Sequence, residues 1–286
     1  MGQDNQPAKS FNVALVQMLV EGGEKERNLA RAEERIARAA EMGSEIVLLP
    51  ETLDLGWTHP SALQQAEPIP EGGPCQRLAA AARRHRVVIC AGLTERCGAQ
   101  VFNSAVLLDR DGKLLLLHRK LNELEIGHMY YAQGDRLGVA ETEFGRIGVM
   151  ICADGKAQGQ VLTRALCHMG ADLILSPSAW AKPANYDHVA NPYGQVWRDA
   201  YMPVARQFQA WILSASNVGP MTAGPWAGYN CIGCSLVVDP LGRAVLQGDY
   251  GVDADTLLIA QVQTVRRPAR GELWDAHLAS YRAENE

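Results

Sequence analysis

Apolar positions along the chain follow two periods in turn. Residues 11–18, Phe-Asn-Val-Ala-Leu-Val-Gln-Met, are a short apolar and β-branched run, which predicts a strand. Leu29, Ala32, Ile36 and Ala40 then recur every three or four residues with Arg and Glu between them. That spacing predicts an amphipathic helix, and Gly43 stands where a C-terminal cap belongs. Residues 45–50 predict a buried strand stopped by Pro50. The unit repeats: Pro74 opens a helix to about Arg84, and residues 86–93 form the next strand. Two apolar runs flanking Arg110-Asp111-Gly112 predict a hairpin with an Asp-Gly turn. Further on, strands are expected at 145–152, at 171–177 and at 210–217, helices at 160–169 and 194–209. A second hairpin turns at Asp239-Pro240-Leu241-Gly242, and residues 256–263 make the last strand. Strand–helix–strand units imply parallel sheet with helices outside, and the hairpins make the sheets mixed.

Composition leaves this picture intact and narrows it. The 286 residues carry 27 Lys+Arg against 32 Asp+Glu, a formal charge of −5. That balance argues against nucleic acid or an anionic membrane as partner, because counterion release needs a basic face. No apolar run approaches the length of a membrane span, and the polar first ten residues resemble no targeting signal. The expected location is cytoplasmic. Seven Cys is an odd number scattered over a long chain, which fits free thiols rather than a disulfide framework.

Three strands end in a reactive side chain: Glu51 after Leu-Leu-Pro, Lys120 after a Leu-rich run, and Cys152 after Gly-Val-Met-Ile. Ligands in open α/β sheets bind beyond the carboxyl ends of strands. A thiol, an ammonium and a carboxylate there could act as nucleophile, electrostatic stabiliser and base. Each residue alone is more often structural: a buried thiol, a solvated lysine, a loop carboxylate. Their joint placement at strand ends is what raises them together.

The surrounding motifs resemble the nitrilase superfamily of carbon–nitrogen hydrolases. Leu48-Leu49-Pro50-Glu51, His118-Arg119-Lys120-Leu121 and Gly148-Val149-Met150-Ile151-Cys152-Ala153-Asp154 are similar to its glutamate, lysine and cysteine motifs. Gly134-Asp135, Gly170-Ala171-Asp172, Ser176-Pro177-Ser178, Asn217-Val218-Gly219 and Gly233-Cys234-Ser235 follow in the family's order. The resemblance implies a four-layer α-β-β-α sandwich in one domain over residues 11–265. A flexible stretch at 1–10 would precede it, and a tail at 266–286 would pack on a partner subunit. It implies Cys152 as nucleophile, Glu51 as general base and Lys120 as oxyanion stabiliser, assisted by a backbone N–H after Cys152. It implies a thioester intermediate, no metal or organic cofactor, and a homodimer or larger homo-oligomer with helices 160–169 and 194–209 as candidate interfaces. A helix starting near Gln158 would favour the thiolate.

Many members carry a second glutamate after the lysine. Here only Glu123 and Glu125 are available before Gln133, and Glu125 is the expected one. Trp180, Tyr131 and Ala153 are the expected substrate-binding residues, with Trp57, Tyr130 and Tyr193 as further aromatic wall candidates. Ala153-Asp154 replaces the Trp-Glu usual in nitrilases, so a linear amide or N-carbamoyl compound is expected as substrate with water, ahead of a nitrile. A catalytically silent binding or scaffold protein on the same fold is the alternative of another class. Cys231 and Cys234 form a CxxC without a second metal-ligand pair and are read as ordinary thiols.

Overall fold

A computed structural model describes residues 10–265, so the stretch 1–9 and the tail 266–286 lie outside the described residues. Ser10, placed with the flexible stretch by sequence, already belongs to a strand. In chain order the elements are β1 (Ser10–Gln17), α1 (Lys25–Glu41), β2 (Ile46–Leu48), α2 (Ala62–Gln65), α3 (Gly73–His85), β3 (Val88–Cys97), β4 (Gln100–Leu108) and β5 (Leu114–Arg119). They continue with β6 (Val139–Thr142), β7 (Gly145–Val149), α4 (Val161–His168), β8 (Leu173–Ser178), β9 (Ala181–Pro183), α5 (Gln195–Phe208) and β10 (Trp211–Ser216). The last are β11 (Val218–Pro220), β12 (Tyr229–Ile232), β13 (Leu236–Val238), β14 (Ala244–Gln247) and β15 (Thr256–Gln263).

Two six-stranded sheets result, ordered β15-β1-β2-β3-β4-β5 and β14-β13-β10-β8-β7-β6. Each has three parallel strands at its heart, β1, β2 and β3 in one and β7, β8 and β10 in the other. Antiparallel strands flank both. The strand period of two decides the layers. Val13 and Leu15 of β1 join the core that continues into the second sheet, with Ile147, Val149 and Ile174. Ala14 and Val16, on the other face, pack with Leu29, Ala32 and Ile36 of α1 and with Leu78 and Ala82 of α3. Tyr201 and Val204 of α5 and Leu166 of α4 complete the outer layer of the second sheet. The order helix, sheet, sheet, helix is the expected sandwich.

Short-range signals read from sequence hold closely. α1 ends at Glu41, with Gly43 at φ 77° in the left-handed region that glycine adopts freely. α3 starts with Pro74 in its first turn. The helix after the cysteine, however, begins at Val161 and not near Gln158, because Gly159 and Gln160 adopt positive φ and break the run into 3-10 turns.

Candidate active site

Glu51 is the third residue after β2, and its backbone N–H donates to Ser178 O across the sheet interface at 3.2 Å. This bond joins the ends of the two sheets. The loop lies tight against β3: a Cβ on Gly92 would meet Glu51 Cα at 2.5 Å and Thr52 N at 2.8 Å. Gly92 is therefore what lets the backbone carrying Glu51 approach β3, while Gly92 N donates to Pro50 O at 3.0 Å.

Lys120 follows β5, and its N–H is held by Asn103 O at 2.8 Å. Its ammonium, 2 % exposed, donates to Glu51 Oε1 at 2.7 Å and to Glu123 Oε1 at 3.1 Å. Asn103 bridges the same two carboxylates, with Nδ2 at 2.6 Å from Glu51 Oε1 and 3.0 Å from Glu123 Oε2. Trp57 Nε1 and the Leu124 N–H also donate to Glu123. One ammonium and two carboxylates, all buried, thus share a closed network.

Glu125, the residue expected as second glutamate, is not part of this network. Glu125 is exposed on a 3-10 turn, whereas Glu123 is buried in the cluster. A Cβ on Gly127 would lie 2.6 Å from Glu123 Cγ, so the carboxylate arm of Glu123 occupies the space that a side chain at 127 would need.

Cys152 lies beyond β7 rather than within the strand, at the start of a 3-10 turn, Cys152–Lys156, with φ 44°. A non-glycine residue in the left-handed region is strained by roughly 1–3 kcal/mol and persists only where its surroundings hold it. Cys152 N donates to Ser176 Oγ at 3.2 Å. Asp154 anchors the turn from the other side. Its Oδ2 accepts from Ile151 N at 2.9 Å and lies 2.8 Å from His118 Nε2. Its Oδ1 accepts from Leu121 N at 3.1 Å and Asn122 N at 2.7 Å. One buried carboxylate therefore ties the turn of Cys152 to the segment after Lys120 and fixes their separation. Burial works against its charge, but His118 and these N–H donors outweigh it and hold its pKa below the usual range.

Electrostatics set the resting protonation. Burial pushes the Cys152 thiol well up, and the Glu51 charge adds to this; Lys120 and the Ala179 backbone N–H oppose without prevailing. These shifts favour Cys152 as a neutral thiol, against the thiolate that a helix terminus was expected to favour. Burial raises Glu51 too: Lys120 draws its pKa down, but desolvation and the Glu123 charge outweigh that pull. For Lys120 burial disfavours the charge, yet the two carboxylates overcome it and hold the side chain as an ammonium. Glu51 Oε2 has no conventional hydrogen-bond partner.

A cavity of about 350 Å³ opens over Cys152 and Lys120. Trp180 and Ala153 line it, as expected, together with Trp57 and Tyr193. Tyr131 does not. It is buried behind the wall, where its hydroxyl accepts the Thr58 N–H at 3.1 Å and props the loop that presents Trp57. Two walls were missed from sequence. Trp197 of α5 stacks on Trp180 with ring centroids 4.5 Å apart, and Trp226, in the loop before β12, meets Trp57 edge-on at 5.2 Å. Neither sits in a motif; a helical tryptophan and a loop tryptophan become neighbours only through folding. Among the described residues no His/Cys/Asp/Glu group is arranged to hold a metal, and no helix is long and apolar enough to cross a membrane. All seven cysteines are free.

Comparison with known proteins agrees with this arrangement. The family model of carbon-nitrogen hydrolases matches residues 12–270. The chain belongs to the carbon–nitrogen hydrolase family. This places it in the nitrilase superfamily and makes it a carbon–nitrogen hydrolase. A nitrilase of Pyrococcus abyssi is 33 % identical over 80 % of the chain and 81 % of its own length. A chloroplastic omega-amidase of Arabidopsis thaliana is 27 % identical over 94 % of the chain and 74 % of its own length. The crystal structure of Saccharomyces cerevisiae Nit3, a member of the nitrilase superfamily, superposes with a TM-score of 0.75 at 23 % identity, covering 96 % of this chain and 94 % of that one.

Proposed function

We propose that this carbon–nitrogen hydrolase cleaves the amide of a small linear compound through Cys152, with Glu51, Lys120 and Glu123 as its catalytic partners. The observation that carries the reading is geometric: Cys152 and Lys120 line one cavity, and the Lys120 ammonium lies 2.7 Å from the buried Glu51 carboxylate and 3.1 Å from Glu123. Glu51 takes the thiol proton as sulfur attacks the carbonyl carbon. The oxyanion that forms faces the Lys120 ammonium and the main chain at Ala153, which supply charge where charge develops. The proton held by Glu51 passes to the leaving nitrogen, ammonia departs, and a Cys152 thioester remains. Glu51 then deprotonates a water that attacks the thioester, releasing the acid and regenerating the thiol. Glu123 holds Lys120 and orients the substrate amide. No step calls for a metal or organic cofactor, because base, charge and nucleophile are all side chains of this chain.

An N-carbamoyl compound fits the same steps. A nitrile is the second reading, favoured by the relative named as a nitrilase; Ala153 and Asp154 after the nucleophile favour amides. Cytoplasmic location and a homodimer belong to the same proposal, resting on the resemblance.

Ammonia release from panels of amides, N-carbamoyl compounds and nitriles tests the reading, with intact-protein mass measurement for an acyl adduct. Amide turnover that Cys152→Ala lowers by at least about a thousandfold is expected. Nitrile-only turnover would shift the assignment, and full activity in a folded Cys152→Ala protein would remove it.

A further inference from the structure

Glu51 and Glu123 are two buried carboxylates that share one ammonium, and their donors are unequal. Glu123 accepts on Oε1 from Leu124 N at 3.0 Å, Lys120 Nζ at 3.1 Å and Trp57 Nε1 at 3.3 Å, and on Oε2 from Asn103 Nδ2 at 3.0 Å. Glu51 accepts from Lys120 and Asn103 on Oε1 alone, at 2.7 and 2.6 Å, while its buried Oε2 has no conventional partner. Two like charges in one buried site raise each other's pKa, so the carboxylate with more donors keeps its charge and the other takes a proton.

Among the described residues, only Lys120 and Asn103 hydrogen-bond to both carboxylates. Asn103 is fully buried in β4, between β3 and β5. Its carbonyl accepts the Lys120 N–H at 2.8 Å, so its main chain fixes the lysine while its side chain spans the glutamates. Each hydrogen of Nδ2 has its own carboxylate. The amide cannot be turned round, because Oδ1 would then face two anionic oxygens. As it stands, Oδ1 is buried without a partner. A leucine would fill similar space and leave no oxygen unsatisfied, so what the residue contributes here is its pair of donors.

We propose that Asn103 is a positioning residue that divides the work of the two carboxylates. Its amide holds Glu123 as an anion and turns Glu51 so that Oε2, the oxygen without a donor, receives the Cys152 proton. The S–H bond breaks, an O–H bond forms on Oε2, and the sulfur electron pair goes to the carbonyl carbon. The proposal rests on the reading of Glu51 as base. Burial pushes the Glu51 pKa up, the Glu123 charge adds to this, and Lys120 and Asn103 draw it down. The other titratable groups around Glu51 are Cys152, Tyr131 and Cys231, and burial raises all three, which keeps them protonated at rest. Loss of the Asn103 donors therefore raises the Glu51 pKa further. A base works as an anion, so the acid limb of the rate–pH profile moves to higher pH.

The experiment follows two rates against pH in the full-length protein: iodoacetamide alkylation of Cys152, read by peptide mass mapping, and kcat/KM for an amide. Asn103→Leu should move the acid limb of both upward by about one pH unit or more, a roughly tenfold loss at low pH that is recovered as pH rises. Asn103→Ala, which leaves room for water donors, should move it the same way by less, and it carries the test alone if Asn103→Leu does not fold. A uniform loss at every pH with the limb in place would reduce Asn103 to packing and overturn the proposal, as would a limb moved to lower pH. A shifted alkylation limb without amide turnover would sink hydrolysis and leave the role of Asn103. Turnover with both limbs unmoved would do the reverse.

Discussion

The two sides of the cavity are built on opposite terms. On one side Glu51, Lys120, Glu123 and Asn103 bond chiefly to one another, Asn103 from within β4 and the others from the segments that follow β2 and β5. On the other side Trp180, Trp197, Tyr193 and Lys156 come from a strand end, a helix, a loop and a turn, and meet by stacking and by a single hydrogen bond. The first side is a closed electrostatic network that tolerates no vacancy. The second is a set of aromatic surfaces that line the cavity with few polar contacts among themselves.

Lys120→Met attacks that contrast where it is strongest. Removing the one cation from two buried carboxylates should destabilise the fold by about 3–5 kcal/mol and abolish turnover together. A chemical-denaturation midpoint equal to that of the parent would show that the network is not the closed unit described. Glu123→Gln beside Glu125→Gln is a sharper and smaller test. The first should lower kcat/KM by about a hundredfold, and the second, on the exposed turn, should leave it within error. Equal effects would return the role to Glu125.

The loop from Glu51 to Trp57 connects the two sides, and Asp54 lies within it, fully buried. Its Oδ1 accepts from Thr94 N and Oγ1, and its Oδ2 has no partner. Burial raises its pKa to about 6 against the pull of the Thr94 donors. Because the folded value lies above the unfolded one, the native state binds this proton more tightly. The stability so gained is fully present below the ordinary carboxylate pKa and is lost as pH rises through about 6. Above that the ionised group costs roughly 3 kcal/mol. Asp54→Asn should therefore raise stability relative to the parent at pH 8, with the difference fading by pH 4. Denaturation midpoints at the two pH values decide it, and a difference independent of pH would place the effect elsewhere.

Much of this was legible in the chain itself. Strand and helix periods, the Pro50 stop, the Gly43 cap and the turn at Asp111-Gly112 depend on neighbours within a few residues, and the structure follows them. The meeting of Glu51, Lys120 and Cys152 was legible because each follows an apolar strand run by one to three residues, and the ends of such strands converge. What failed depended on distances across the fold. Glu123 and Glu125 are indistinguishable by composition, and only the turn at Gly127 and the reach of Asn103 separate them. Asn103 itself sits inside a plain strand pattern, and its bridging role exists only because β4 lies between β3 and β5. Tyr131 looked like pocket wall by type and is instead a prop for the loop in front of it.

The sequence by itself therefore determined most strands and helices and the placement of Glu51, Lys120 and Cys152 just beyond strand ends, since local periodicity and order along the chain carry that information. The tertiary structure alone decided which carboxylate joins Lys120, that Asp154 locks the cysteine turn to the lysine loop, that Trp197 and Trp226 complete the aromatic walls, and that the Lys156 ammonium lies over the Trp197 ring. Each of these rests on side chains distant in sequence meeting within a few ångströms, and burial there changes both what a charge costs and what it can do.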